Sequence, residues 1–157
     1  MPEAQLDRFL FKIEVGYPNL EEEFQILEGF LSRKNVNNLD LIQPVFTAQQ
    51  VSEYREKVSE VRIDTGILRY IASIVESTRN HSSLYLGASP RASIAIMRSS
   101  QAIAAMSGRD FVTPDDVKRM TYPVLRHRVM LTPEKEMEGA GIGQVIKQIV
   151  ENVEIPR

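Results

Sequence analysis

The residues best suited to bind a phosphate lie at the start of a helix predicted over 90–106. Ser89 can accept hydrogen bonds from the free backbone N–H groups, and Pro90 suits the first helical position. Gly87 permits an unusual or close backbone approach just before the helix. Arg91 faces the positive end of the helix dipole, and this costs about 0.3–1 kcal/mol where the side chain is exposed. Helix N-termini and arginines both bind phosphate, so Arg91 is either a phosphate ligand or an arginine that points to solvent or pairs with a carboxylate.

Two other charged clusters carry weaker signals. Asp115 and Asp116 directly follow Thr113, so they are interpreted as first-turn acids behind a helix cap rather than as a metal-binding or acid–base pair. The densest basic cluster is 126–128, with the sequence Arg-His-Arg. It is either a feature of the surface or a contact for an acidic partner or a neighbouring subunit.

Composition excludes several functional classes. The formal charge of −2 gives no general attraction to nucleic acid or to anionic membranes. The chain has no cysteine and only two histidines, His81 and His127, so no metal site is predicted. The phosphate-loop pattern G-x-x-x-x-G-K-[ST] is missing from the sequence. No apolar run suggests membrane insertion and no secretory signal is visible, so a cytoplasmic protein is expected.

Residues 1–18 have a different pattern from the rest of the chain. Residues 3–6 favour a helix, and 9–15 alternate between apolar and polar residues as a strand does, before the turn residues 16–19. A lone strand cannot satisfy its own backbone. This pattern predicts that the chain begins with the last strand of a sheet that belongs to another domain.

Residues 19–157 are predicted to form a helical bundle, so the fold class is mainly α. Helix caps are expected at Asn19, Asp64, Ser89 and Thr113, and Thr47 is expected to form a capping box with Gln50. Helical spacing identifies the residues expected to face the core. They are Leu20, Phe24, Leu27, Leu31, Val51, Tyr54, Val58, Ile67, Leu68, Ile71, Ile74, Val75, Thr78, Ala92, Ile96, Ile103, Met106, Val117, Met120, Ile142, Val145, Ile146, Ile149 and Val153, with Leu39, Leu41 and Ile42 from a polar stretch.

Four segments in order resemble motifs of the MoxR family of AAA+ ATPases. They are E-A-Q-L-D-R-F at 3–9, L-G-A-S-P-R-A at 86–92, G-R-D-F-V-T-P-D-D-V at 108–117 and P-V-L-R-H-R at 123–128. The resemblance covers essentially the whole chain. It implies that 1–18 is the tail of the nucleotide-binding core, with the arginine-finger helix and last strand, and that 19–157 is the helical lid.

The same resemblance implies roles for individual residues. Arg8 would be the catalytic arginine finger, which reaches the γ-phosphate of ATP on the neighbouring subunit. Arg91 would be sensor 2, which contacts ATP in its own subunit, with Gly87, Ser89 and Pro90 positioning it. ATP and Mg²⁺ would be bound mainly by the core. The family's Walker A lysine, Walker B acid and sensor 1 would all precede Met1, so this chain is expected to be a fragment without ATPase activity of its own.

The expected partners also follow from the resemblance. They are the chain's own AAA+ core, the neighbouring subunits of a homohexamer and proteins with von Willebrand factor A domains, in a chaperone-like remodelling or maturation activity. One alternative is a stand-alone helical adaptor in which Arg91 is a surface residue and Arg8 pairs with Asp7 or Glu3. Another is the lid of a DNA-handling ATPase, against which the net charge argues.

Overall fold

The computed structural model describes residues 3–33 and 42–156, and the fold is mainly α, as predicted. Within these ranges, none of the helices is long and apolar enough to cross a membrane. The chain forms two compact units, one of Met1–Lys12 with Glu53–Arg157 and one of Ile13–Ser52. The elements are α1 (Glu3–Leu6), α2 (Leu20–Ser32), α3 (Ala48–Glu60), α4 (Thr65–Arg79), β1 (Leu84–Leu86), α5 (Pro90–Met106), α6 (Pro114–Leu125), β2 (Met130–Leu131), α7 (Pro133–Met137) and α8 (Ile142–Asn152).

The core of the larger unit lies between α4, α5, α6 and α8. The predicted core residues Ile74, Ile96 and Ile146 are almost completely buried there. Three predictions in this unit were wrong, since Tyr54, Leu68 and Met106 are 47%, 42% and 83% exposed. On α4 the buried position is taken by Tyr70, which lies on the same face as Ile67 and Ile74 at the spacing of an α-helix.

The predicted caps are confirmed. The side chains of Asn19, Asp64, Ser89 and Thr113 each accept a hydrogen bond from the first turn of their helix. The Thr47 N–H donates to the Gln50 side chain at 2.8 Å, and the Gln50 N–H donates to Thr47 Oγ1 at 3.1 Å. Local sequence therefore sets where these helices begin.

Strands β1 and β2 form a two-stranded antiparallel sheet. Leu84 pairs with Leu131 and Leu86 with Met130, with an irregularity between the two pairs. Strand β1 was not predicted from the sequence. The sheet joins the loop that precedes α5 to the chain that follows α6, so 87–91 and 126–128 both lie next to it in sequence.

The strand predicted over 9–15 is not formed. This segment is neither helix nor strand, and none of the strands in the described part of the chain pairs with it. A strand needs a partner for its backbone groups. In the first half of this segment, side chains from 126–128 bind the backbone carbonyls instead. The division into a core tail at 1–18 and a lid at 19–157 stays a prediction.

The smaller unit does not bury its predicted apolar stripe. On α2, Leu20 is 87% exposed and Leu31 is 79% exposed, and Ile42 farther along is 70% exposed. A unit this short has too little chain to cover an apolar helix face by itself. The predicted core positions Leu39 and Leu41 lie outside the described residues.

Candidate functional site

The loop before α5 is fixed to the end of α4. The backbone N–H of Ala88 donates to Thr78 Oγ1 at 2.9 Å, and Arg79 Nε donates to the Ala88 carbonyl at 2.8 Å. A Cβ at Gly87 would lie only 2.6 Å from Arg79 Cα and 2.8 Å from the Thr78 carbonyl oxygen. Glycine is therefore required here for a close backbone approach, as the sequence suggested, and the start of α5 is held in place by buried contacts.

Ser89 has two functions at the start of α5. Its Oγ accepts a hydrogen bond from the Arg91 backbone N–H at 3.2 Å, which confirms the predicted cap, and Pro90 occupies the first turn as predicted. The same hydroxyl lies 3.0 and 2.9 Å from the two carboxylate oxygens of Asp7, to which it donates. Ser89 thus connects α5 to the N-terminal segment, a contact that the sequence did not predict.

Arg91 pairs with the same carboxylate. Its Nη1 lies 3.3 Å from Asp7 Oδ2, and the Arg91 side chain is 61% exposed. Of the two alternatives left open by the sequence, the structure contains the carboxylate pair. An ion pair this exposed contributes about 0–1 kcal/mol, so the guanidinium can still exchange Asp7 for another anion.

A second arginine pairs with Asp7 in a buried position. Arg128 Nε lies 3.3 Å from Asp7 Oδ1, and the side chains of Arg128 and Asp7 are 2% and 16% exposed. Burial lowers the pKa of Arg128, and the Asp7 carboxylate opposes that shift. Asp7 therefore has one buried and one exposed arginine partner.

The basic cluster 126–128 binds the N-terminal segment of its own chain. Arg128 donates to the carbonyls of Leu10 at 3.1 Å and of Asp7 at 3.2 Å, and also to that of Phe9. Arg126 donates to the Lys12 carbonyl, and His127 Nε2 lies 3.0 Å from the Phe9 carbonyl oxygen. The contacts found for this cluster are thus intramolecular, and an acidic partner is not needed to explain it.

His127 donates to a carbonyl, so its ring carries a proton on Nε2. Burial lowers the pKa of His127 below its usual range, and the positive charges of Arg128 and Arg126 lower it further. The hydrogen bond to the Phe9 carbonyl and the charge of Asp7 act in the opposite direction. The lowered pKa favours the neutral form of the ring.

Arg8 has an exposed side chain in the middle of this fixed segment. Its backbone N–H donates to the Gln5 carbonyl at 3.3 Å. Within the described residues, the Arg8 guanidinium forms no ion pair, since Asp7 pairs with Arg91 and Arg128 instead. The backbone is therefore held on both sides of Arg8 while its cation is accessible.

A cleft of about 420 Å³ lies between the N-terminal segment, the β1–α5 loop and the chain after α6. It is lined by Leu6, Asp7, Leu86, Gly87, Ser89, His127, Arg128 and Met130. The sequence identified Arg8 and Arg91 but missed the contribution of Asp7 and Arg128. Two features of the sequence could have indicated this contact. Asp7 is an acid directly beside the candidate arginine Arg8, and the basic cluster 126–128 had no acidic partner assigned to it.

Asp116 is a structural residue, as the sequence indicated. It completes a capping box with Thr113 and accepts from Arg109 at 2.8 and 2.7 Å. Burial alone would raise the pKa of Asp116, but the hydrogen bonds from Arg109 and Thr113 outweigh it and hold the pKa below its usual range. Asp115 is 90% exposed beside Lys118. Across 3–33 and 42–156, no group of three or more acidic residues and histidines is placed to hold a metal ion.

Comparison with known proteins gives a match to one family model and to relatives that align over nearly the whole chain. Residues 76–151 match the family model of the AAA lid domain. The chain is 41% identical over 156 residues to the protein YeaC of Bacillus subtilis, covering 99% of this chain and 48% of YeaC. It is 33% identical over 166 residues to the chaperone MoxR1 of Mycobacterium tuberculosis, covering 100% of this chain and 43% of MoxR1.

A solved structure agrees with these matches. The crystal structure of a protein from Cytophaga hutchinsonii, described as a "putative ATPase", superposes with a TM-score of 0.81 at 34% identity. The alignment covers 100% of this chain and 49% of that one. The chain thus spans about half the length of the relatives that it matches.

Proposed function

Because the chain is that of a MoxR-type AAA+ protein with its lid domain, we propose that it contributes two arginines to ATP hydrolysis at subunit interfaces. The proposal rests on one structural feature that Arg8 and Arg91 have in common. Each has an exposed guanidinium on a backbone that hydrogen bonds hold in place. An accessible cation on a fixed backbone is suited to stabilise a reacting phosphate.

Arg91 is proposed as sensor 2, the residue that contacts the phosphates of ATP in its own subunit. It lies at the N-terminal end of α5, where backbone N–H groups also favour an anion. Gly87, Ser89 and Pro90 set its position through the close approach to α4 and the cap. A phosphate here would relieve the unfavourable placement of a cation at the positive end of a helix.

Arg8 is proposed as the arginine finger, a catalytic residue for the ATP of the neighbouring subunit. Hydrolysis spreads negative charge over the oxygens of the γ-phosphate, and a guanidinium can bind two of them at once. In related phosphoryl transfers an arginine finger contributes about 10³–10⁵ in rate. Because Arg8 would act on another subunit, hydrolysis would depend on assembly.

The residues of this chain fit a phosphate but do not form a complete nucleotide site. Arg91 offers a phosphate-binding cation, whereas the described residues contain no cluster of oxygen or nitrogen ligands for Mg²⁺. ATP with Mg²⁺, when bound, supplies the phosphoryl group that is transferred to water. Most of its contacts are accordingly assigned to the AAA+ core, and this chain contributes Arg91 in the same subunit and Arg8 in the next.

The wider function proposed is chaperone-like remodelling or maturation of partner proteins by a homohexamer. Assembly with further subunits agrees with the relationship to AAA+ proteins, and MoxR1 of M. tuberculosis is itself named a chaperone. Proteins with von Willebrand factor A domains are the proposed partners. The lid would convert loss of the γ-phosphate into a rigid-body movement, since Arg91 would lose its ligand.

Replacement of Arg91 in the full-length protein tests the nucleotide role. Arg91→Ala should weaken ATPγS binding about tenfold, the effect of losing a charge-assisted hydrogen bond of about 1.5 kcal/mol. Arg98→Ala is the matched control, an exposed arginine farther along α5, and it should leave binding unchanged. Unchanged binding in the Arg91 variant would contradict the proposal and favour the helical adaptor.

A further inference from the structure

Asp7 pairs with Arg91 and directly precedes Arg8, the two arginines of the proposed ATPase site, although nothing in the sequence motifs assigns it a role. It directly precedes Arg8 in the chain, and its carboxylate pairs with Arg91 across 3.3 Å. Ser89 donates to both carboxylate oxygens, and buried Arg128 lies 3.3 Å from one of them. One carboxylate therefore connects the start of α5 to the segment that carries Arg8.

The two ion pairs of Asp7 differ in how easily they can be exchanged. Arg128 has a side chain that is 2% exposed, so separating it from Asp7 would leave a buried cation without a counterion. Arg91 has a side chain that is 61% exposed, and such a pair is weak and open to competition. An anion that arrives at Arg91 can thus replace Asp7 there while Asp7 stays bound to Arg128 and Ser89.

We propose that Asp7 is a positioning residue that couples the two arginines: its carboxylate competes with the nucleotide phosphate for Arg91 and anchors the segment that presents Arg8. This inference rests on the proposed function of Arg8 and Arg91. Without nucleotide, Arg91 is neutralised by Asp7. With nucleotide, Arg91 turns to the phosphate, and the anchorage of the Arg8 segment is reduced to Ser89 and Arg128. The state of one nucleotide site is thereby transmitted to the arginine that serves the next.

Asp7→Asn tests the coupling in the full-length protein, because asparagine keeps the shape and removes the charge. ATPγS binding should become about two- to fivefold tighter, since the competing carboxylate is removed. Turnover at saturating ATP should fall severalfold, since the Arg8 segment loses its anchorage. Tighter binding with slower turnover distinguishes this role from general destabilisation, which would not tighten binding.

The same measurement in an Arg91→Ala background completes a double-mutant cycle. If Asp7 acts on the nucleotide through Arg91, Asp7→Asn should leave ATPγS affinity unchanged in this background. The coupling would be overturned if Asp7→Asn raised ATPγS affinity equally with and without Arg91, or if it raised the affinity in neither background. If Arg91→Ala alone leaves affinity unchanged, the sensor 2 role fails instead, so the two failures can be told apart.

A second variant covers the case in which Asp7→Asn does not fold. The double replacement of Asp7→Asn with Arg128→Met removes the buried cation together with its counterion, so neither charge is left buried and unpaired. Arg91 is again free of its carboxylate, so ATPγS binding should again be about two- to fivefold tighter than in the unmodified protein. Unchanged or weaker binding in a folded double variant would contradict the proposal.

Discussion

Gly87 shows how one residue determines the position of a whole site. The atoms that a Cβ at Gly87 would meet belong to the backbone of Thr78 and Arg79, so they cannot move aside without shifting the end of α4. The sequence indicated a special role for this glycine from its place before a capped helix. Its partner could not be predicted, because the contact joins two helices through tertiary packing.

Gly87→Ala should lower the free energy of unfolding by about 1–3 kcal/mol, the usual cost of forcing extra atoms into a packed site. Gly16→Ala is the control, since a Cβ there meets nothing within 4 Å. Thermal or urea unfolding of both variants measures the difference. Equal stability of the two variants would show that the α4–α5 junction can adjust.

Asp116 contributes stability that depends on pH. Since its pKa is held below the usual range in the folded protein, this contribution is present above the unfolded-state pKa of about 3.9 and is lost as pH falls through the folded pKa. Asp116→Asn should cost about 2–3 kcal/mol at pH 7, because Arg109 loses a charged partner. Urea unfolding from pH 7 down to pH 3 should show the two proteins converging in stability. A constant difference over this range would contradict the account.

At the scale of elements, the N-terminal segment is the main difference between prediction and structure. The alternation at 9–15 predicted a strand, and the structure forms none there, because an extended segment becomes a strand only beside a partner. Arg126, His127 and Arg128 bind the carbonyls instead, and long-range contacts of this kind leave no periodic signal in a sequence. Helix starts were predictable because caps are local.

The buried arginine of this cluster should be essential for holding the N-terminal segment. Arg128→Met removes one donor from the Asp7 carboxylate and one from each of three carbonyls of the N-terminal segment. The backbone amides of Arg8 and Phe9, which donate to carbonyls of α1, should therefore exchange with deuterium at least tenfold faster, a change of about 1.4 kcal/mol. Arg62→Met is a control, since the Arg62–Asp110 pair is 74% exposed on both sides. Unchanged exchange in the Arg128 variant would show that other contacts hold the segment.

His127 should make the folded state sensitive to mild acid. Burial lowers its pKa, so the unfolded chain binds a proton more readily than the folded chain does. The stability contributed by neutral His127 is therefore present above pH 6.5 and is lost as pH falls towards the folded pKa. Between pH 7 and pH 5 the melting temperature should fall more in the unmodified protein than in His127→Gln. If the melting temperatures of the two proteins fell in parallel, His127 would be protonated as easily in the folded state as in the unfolded state.

At the scale of the whole molecule, the mainly α fold and the core on α4, α5 and α8 could be predicted from apolar spacing. The stripe on α2 has the same kind of spacing, yet Leu20 and Leu31 are exposed. Periodicity identifies which face of a helix is apolar, but not what covers it. The arrangement of Asp7 with Arg91 and Arg128 was likewise beyond the sequence, since it needs three distant segments to meet.

Subunit mixing tests the central claim most directly, that Arg8 acts on the neighbouring subunit and Arg91 within its own. ATP turnover is measured for full-length Arg8→Ala and Arg91→Ala, each alone and mixed with a variant lacking the phosphate-loop lysine. We predict that all three are inactive alone. Mixing should restore activity only with Arg8→Ala, because an intact nucleotide site then meets an intact Arg8 from the other subunit. Normal turnover by both arginine variants alone would contradict the account.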